Sequence, residues 1–226
     1  MKNKKYKFTE ETKDVYGHTL YRIEALKDFN DVKAGDKGGY IEKEDNLSQE
    51  GDAWVYGNAK VYGNAEVYGN AKVYGNAKVY GNAEVCGNAK VYGDAWVCGD
   101  AWVYGNAWVY GDAWVYGDAK VYGDAKVYGD AKVYDNAEVC GDAEVYGNAW
   151  VCGNAKVCGN ADYVVFKNWW SSGRYFTWTR SNNKWKVGCF YGTGEGLIAK
   201  AYKDSEKSGR EYERVVRYVE SILKNE

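Results

Sequence analysis

Between Gly51 and Cys158 the apolar and polar positions repeat every six residues, as eighteen consecutive hexads of the form G-[DN]-A-[WKE]-V-[YC]. The pattern breaks once, where Asp135 replaces Gly, and a nineteenth hexad opens at Gly159-Asn160-Ala161 and stops at Asp162. Ala and Val are two places apart, so on a pleated strand they share one side, and the Trp, Lys or Glu between them takes the other. Small aliphatics are therefore predicted to line an interior, with the variable residue in water. Gly followed by Asn or Asp supplies a corner, because these residues best tolerate positive φ. A short strand and a corner every six residues predict a three-sided coil. Three hexads close one 18-residue turn, and the eighteen make six turns.

The order V-x-G-[ND]-A-x over residues 51–161 resembles the hexapeptide repeat of bacterial transferases. That resemblance implies a mainly β fold, a left-handed parallel β-helix of about six 18-residue coils, and it is the source of the handedness. One departure is the place after the inward Val, small or acidic in that family and Tyr or Cys here. Such a coil buries little by itself and depends on stacking its neighbours, so both ends need covering.

The flanks read as those covers. Ile41 and Leu47 lie twelve and six residues before Ala53, which predicts a degenerate start of the coil with Lys43 and Gln49 in the Val places. Upstream, strands are predicted at Tyr6–Thr9 and Thr19–Leu26, joined through Tyr16-Gly17-His18. The expected organisation is a β cap over 1–40, the repeat helix over 41–161 and a β-β-α unit over 162–226. In the last, strands are predicted at Tyr163–Phe166, Tyr175–Thr179 and Trp185–Phe190, then a helix capped by Thr193 to about Lys203. A second helix is predicted from about Gly209 to Leu223, where Tyr212, Val215, Val216, Val219, Ile222 and Leu223 keep helical spacing. The run from Arg22 through Gly39 to Ser48 resembles the start of hexapeptide-repeat proteins of bacteria and of phages or other mobile elements, labelled transferases. The run Gly188-Cys189-Phe190-x-Gly192-Thr193 is similar to a terminal domain of some phage-borne repeat proteins.

Composition narrows the chemistry. There are 28 Gly, 23 Tyr and 10 Trp among 226 residues, and no Pro. Collagen is excluded by the missing Gly-X-Y period, and no apolar run is long enough for a membrane helix. The lysine-rich start has no apolar segment behind it, so no secretory signal is read, and six Cys are expected as reduced thiols in a cytoplasm. Lys+Arg against Asp+Glu gives 10 − 11 = −1 over residues 1–50, 8 − 13 = −5 over 51–158 and 12 − 8 = +4 over 159–226. A charge of −5 over the repeats is far too sparse to imitate a duplex.

Residues eighteen apart stack, so columns can be read directly. Tyr56, Tyr74, Tyr92, Tyr110, Tyr128 and Tyr146 form one column of rings, readable as a structural ladder or as a docking surface. Trp96, Trp102, Trp108 and Trp114 circle the middle of the rod, with Trp54 and Trp150 nearer its ends. Six outward indoles suggest an interaction surface, or ladder packing with Lys78 and Lys132 above and below. Cys140 and Cys158 stack, although direct parallel neighbours fit disulfide geometry poorly. Asp94, Asp112 and Asp130 form an acidic row; no metal site is expected, since no C-x-x-C spacing exists. In the C-terminal unit Trp169, Trp170, Arg174, Trp178, Arg180 and Trp185 interleave aromatics with basic residues, a pattern that binds single-stranded nucleic acid or a partner.

The resemblance implies acyltransferases with a His general base and acyl-coenzyme A held beside a loop extruded from the coils. The single His, His18, lies well before the first full hexad, and the repeats carry no such insertion. The expectation is therefore a non-catalytic rigid rod without cofactor, presenting Tyr and Trp surfaces to a protein partner, a host factor such as a defence component, or to a second copy. Acyl transfer is the first alternative and nucleic-acid binding the second.

Overall fold

A computed structural model describes residues 4–170 and 173–223. The fourth and fifth residues of every hexad form a two-residue strand, and strands eighteen residues apart pair in parallel. Three faces result. The first runs from Trp54–Val55 to Glu144–Val145, the second from Lys60–Val61 to Trp150–Val151, and the third from Glu66–Val67 to Lys156–Val157. The tube closes after three hexads, as predicted, and every Ala and Val of the repeats is buried in one continuous core.

The ladder repeats almost unchanged between coils: Lys72 N–H donates to the Ala89 carbonyl at 3.0 Å and Tyr74 N–H to that of Val91 at 3.0 Å. The corner glycines need their positive φ and their missing side chain together. Gly81 has φ +75°, and a Cβ there would lie 2.9 Å from the Gly99 nitrogen of the next coil. Asp135 occupies the same left-handed region at φ +58° without being glycine. Its Oδ2 accepts the Gly153 N–H at 3.1 Å, a bond that offsets part of the steric cost.

The N-terminal flank is a hairpin, Tyr6–Val15 with His18–Ala25, longer than predicted, turning at Tyr16 and Gly17 with φ of +53° and +85°. The strand Lys37–Ile41 pairs antiparallel with the hairpin and parallel with Lys60–Val61, so the second face runs into the cap as one sheet. The degenerate coil differs from its predicted register. Ile41 pairs with Val61 and Leu47 bridges Val67, offsets of twenty rather than eighteen. Both therefore take the Val place, and the longer aliphatic chains plug the tube.

The two ends of the tube have opposite hydrogen-bonding character. At the N-terminal end the first full coil presents carbonyls. The Lys5 ammonium donates to Ala53 O at 2.8 Å, Tyr40 N–H to Ala59 O at 2.9 Å and Asn46 Nδ2 to Ala65 O at 2.8 Å, one donor for each face. At the C-terminal end the last coil presents N–H groups. Asn160 Oδ1 accepts from Glu144 N at 2.8 Å, Thr177 Oγ1 from Trp150 N at 3.0 Å and Ser181 Oγ from Lys156 N at 2.6 Å. Each flank thus carries the hydrogen-bonding groups that its end of the tube lacks, donors at the N-terminal end and side-chain acceptors at the C-terminal end.

The C-terminal unit is a four-stranded antiparallel meander of Tyr163–Lys167, Tyr175–Thr179, Lys184–Val187 and Phe190–Gly192. One predicted strand, Trp185–Phe190, is two, because Gly188 at φ +54° turns the chain within it. Helix α1 (Gly194–Asp204) is N-capped by Thr193, whose Oγ1 accepts from Gly196 N at 3.2 Å. Helix α2 (Glu206–Leu223) starts one turn before its predicted position and includes Gly209, where a Cβ would run into the Tyr202 ring. Val216 and Val219 of α2 pack with Leu197 and Ile198 of α1 on Phe176, Trp178, Trp185 and Val187 of the sheet.

Candidate functional site

The tyrosine column forms a ladder of stacked rings. Successive centroids from Tyr74 through Tyr92, Tyr110 and Tyr128 are 4.8 Å apart and within 5° of parallel, and Tyr146 follows at 5.3 Å. Tyr56 meets Tyr74 edge-on at 6.3 Å and turns its hydroxyl to Asp31 Oδ1 at 2.9 Å. Burial among neighbouring rings pushes the Tyr92 phenol up to about 12, and burial with the Glu144 hydrogen bond does the same for Tyr128.

The indoles divide into covered and uncovered ones. On the second face Trp96 and Trp114 stack at 4.8 Å and 1°, with Lys78 Nζ 4.1 Å from the Trp96 centroid and Lys132 Nζ 4.8 Å from that of Trp114. Lys132 also lies 4.9 Å from Trp150, whose other neighbour is Lys186 of the C-terminal sheet at 5.4 Å. The result is one cation–π column, K-W-W-K-W-K, running from the repeats into the cap. Trp108 on the first face lies beneath Lys90 and edge-on to Tyr92. Trp102, alone on the third face, is 44% exposed and Trp114 is 37% exposed. Trp54 does not face water as expected: it is 1% exposed, packed edge-on against Phe29 at 5.3 Å and Tyr6 at 6.1 Å. The N-terminal flank, Tyr6 of the hairpin and Phe29 after it, covers its position, which the repeat phase does not reveal.

The corner residues form a second kind of ladder. Asn70 Nδ2 donates to Asn88 Oδ1 at 3.1 Å, Asn88 to Asn106 at 3.0 Å, and Asn106 to the Asp124 carboxylate at 2.9 Å. Asn64, Asn82 and Asp100 repeat the arrangement at 3.2 and 2.8 Å. Each amide chain thus ends on a carboxylate, which accepts without needing a further donor. The alternation of Asn and Asp was visible in the sequence; its directionality was not. Among the described residues no group of three His, Cys, Asp or Glu side chains is placed to hold a metal, the Asp94, Asp112 and Asp130 row included.

The cysteines depart from the expected all-reduced set: Cys140 and Cys158 are disulfide-bonded across adjacent coils, with Cα atoms 4.4 Å apart, while Cys86, Cys98, Cys152 and Cys189 are free. That Cα separation lies at the short end of the range a disulfide spans, which parallel pairing at adjacent coils just reaches.

His18 is not a simple solvated turn residue. Its Nδ1 lies 2.9 Å from Glu42 Oε1, and its ring sits 5.1 Å from that of Tyr62. Burial pushes the Glu42 carboxyl up, but the hydrogen bonds from His18 and from Gly63 N–H, the latter at 2.7 Å, hold it below the ordinary value. Glu42 had no marker in the sequence, since it lies in the degenerate coil outside any motif.

The C-terminal aromatic and basic residues do not form one platform. Trp178 and Trp185 are buried in the sheet–helix core and cannot stack on bases, which corrects their reading as contact residues. Trp170 packs on Phe176 and Tyr212. Trp169 at 82%, Arg174 and Arg180 remain exposed. No described helix is long and apolar enough to cross a membrane.

Residues 101–117 match the family model described as the YdcK beta solenoid repeat. The chain is also 54% identical over 37 residues to a protein of Escherichia coli (strain K12) named uncharacterized acetyltransferase YdcK. That match covers 16% of this chain and 11% of the relative, so it speaks for the coil and not for the whole relative. With the observed parallel solenoid, these likenesses support a bacterial hexapeptide-repeat-like β-helix.

Proposed function

We propose that this chain is a non-catalytic rigid rod that binds a protein partner through the aromatic girdle at its middle. The observation that carries the reading is the exposure of Trp102 and Trp114 within an array whose other indoles are largely covered. Trp114 has Trp96 on one ring face and Lys132 on the other, so its open area is the ring edge. Fixed aromatic edges on a stiff scaffold lose little conformational entropy on binding, which suits a docking surface. The reading also draws on the unbroken run of coils, every strand of which repeats at eighteen residues with no inserted loop. Affinity capture from a bacterial lysate with the intact chain and with the Trp102→Ala/Trp114→Ala pair tests it. A protein retained by the first and lost by the second supports the girdle; identical recovery removes it.

A second reading, acyl transfer from acyl-coenzyme A, is favoured by one observation, the His18–Glu42 pair, which orients an imidazole as a general base requires. Calorimetry with acetyl-coenzyme A decides it. Saturable heat abolished by His18→Ala supports transfer chemistry, and no heat at millimolar ligand ends it.

A further inference from the structure

At the middle of the rod the third face differs from the other two. On those, the indole has a cation on its N-terminal side: Lys78 Nζ lies 4.1 Å from the Trp96 centroid and Lys90 Nζ 4.5 Å from that of Trp108. The residue in that place beside Trp102 is Glu84, its partner across the parallel strands. The negative face of an indole attracts a cation and gains nothing from a carboxylate. Glu84 is engaged instead in the other direction, its Oε2 accepting the Tyr68 hydroxyl at 2.7 Å. Lys120 stands on the opposite side of the Trp102 ring at a looser 6.0 Å, and Tyr104 meets the ring edge-on at 6.3 Å. Trp102 is the most exposed indole of the repeats.

The charges next to it are of one sign. Glu66 pairs with Glu84 in adjacent coils, where the first face carries Lys72 with Lys90 and the second Lys60 with Lys78. Like charges side by side are a cost to a sheet, and neither carboxylate is ion-paired with a described residue. A cleft of about 460 Å3 opens beside Glu66 at the N-terminal end of this face, with Asp45, Gln49 and Tyr68 among the residues that line it. Glu44, also on its wall, is already held by Lys4.

We propose that the third face from Glu66 to Trp102 docks an arginine-bearing segment of the partner protein. One guanidinium sits between the Trp102 ring and the Glu84 carboxylate, and a second lies against Glu66. The site deepens the girdle reading and rests on it, adding the chemistry of the partner. A guanidinium stacks on an indole and forks to a carboxylate at once, which a compact ammonium does not. Glu66 and Trp102 stand two coils apart, ~9.6 Å along the rod. A chain in the polyproline II conformation places residues three apart on one side, ~9.3 Å from each other. The segment expected is therefore of the form Arg-x-x-Arg, lying along the axis.

Fluorescence anisotropy of a dye-labelled Pro-Arg-Pro-Pro-Arg-Pro peptide, titrated with the full chain, tests the site. Saturable binding is expected, weakening as salt rises from about 0.05 M to about 0.5 M. The same peptide with citrulline for arginine keeps the shape without the charge and is expected to bind about tenfold or more weakly. Trp102→Ala should weaken the arginine peptide about fivefold, and Trp114→Ala, on the second face, should leave it unchanged. Glu84→Lys is the sharpest variant. Lys78 and Lys90 show that the coil accepts lysine at this place beside an indole, so the chain keeps its fold, yet it then supplies its own cation and should lose the peptide. Failure to saturate, equal affinity for the citrulline peptide, or undiminished binding by Glu84→Lys each overturns the proposal. A lysate partner lost by the Trp102→Ala/Trp114→Ala pair but fully retained by Glu84→Lys overturns the cationic occupant while leaving the girdle standing.

Discussion

The Trp150 backbone N–H donates to the Thr177 hydroxyl at 3.0 Å, across 27 residues of sequence. This bond joins the last coil of the second face to the C-terminal sheet at a point where a regular solenoid would offer another strand. Thr177 is 2% exposed, so water does not compete for the site.

Replacing Thr177 by Val keeps the volume and removes the acceptor. The stranded N–H is expected to cost about 1–3 kcal/mol, read as a lower midpoint in denaturant with an unchanged slope. Combining it with Ser181→Ala and Asn160→Ala strips all three faces. The bared donor edge is then expected to recruit other chains, and light scattering should show growing species. A monomeric, fully stable triple variant would contradict this role for the three side chains.

Lys5 is fully buried, and burial brings its ammonium down to about 8. Its folded value lies below its unfolded one, so the unfolded chain binds more protons between them and stability rises with pH. The contribution is lost as pH falls through about 8 and grows upward from there. Denaturant midpoints from pH 7.5 to 9.5 are expected to rise in the native chain. In Lys5→Met the rise should be absent, with lower stability throughout because Ala53 O loses its donor.

The phenols act in the opposite sense. Tyr62, Tyr92, Tyr128 and Tyr163 are raised to about 12, by burial first in each case. Raised folded values mean that their stabilisation is complete below the ordinary tyrosine value near 10 and disappears as pH climbs through 12. Absorbance at the phenolate band should therefore show these four rings ionising well above pH 10, with a step accompanying alkaline unfolding.

The two kinds of corner should respond differently to exchange. Gly81→Ala places a methyl against Gly99 of the next coil at positive φ, and is expected to cost at least about 1–2 kcal/mol. Asp135→Gly relieves a similar strain but loses the bond to Gly153 N–H, and should be near neutral. Thermal melts of the two variants read the contrast.

Among the indoles, Trp96→Ala removes a ring enclosed between Lys78 and Trp114, and Trp102→Ala removes one that is 44% exposed, with Tyr104 edge-on at 6.3 Å. Unfolding should show a clear loss for the first, about 1.5–3 kcal/mol for a buried apolar side chain, and under about 1 kcal/mol for the second. Comparable losses would make Trp102 a structural residue and remove it from the girdle.

The tube itself was legible, because Ala and Val at third and fifth places admit one inward side and the corner glycines mark every turn. Columns of Tyr and Trp followed from the eighteen-residue offset. What escaped were contacts made by segments outside the period. Trp54 reads like Trp96 in its hexad, yet Tyr6 of the hairpin and Phe29 from the segment after it cover the ring. Lys5, Asn46, Thr177 and Ser181 look like ordinary polar residues of the flanks, since nothing local records that an unpaired carbonyl or N–H lies opposite. Ile41 and Leu47 kept the inward phase but not the register, because the spacing before Gly51 is two residues longer. Glu42 gained meaning only when the hairpin returned His18 to it.

The six end contacts at Ala53, Ala59, Ala65, Glu144, Trp150 and Lys156 are made to main-chain atoms, which are the same in every hexad whatever stands at its variable place. Three hexads can therefore be spliced in or out of the gene without either terminus registering the change, shortening or extending the molecule by ~4.8 Å per step. A single hexad would do something else, swinging the C-terminal unit by roughly a third of a revolution and reassigning which side of the rod it surmounts. Length and azimuth are thus separately adjustable by slippage in one short stretch of DNA.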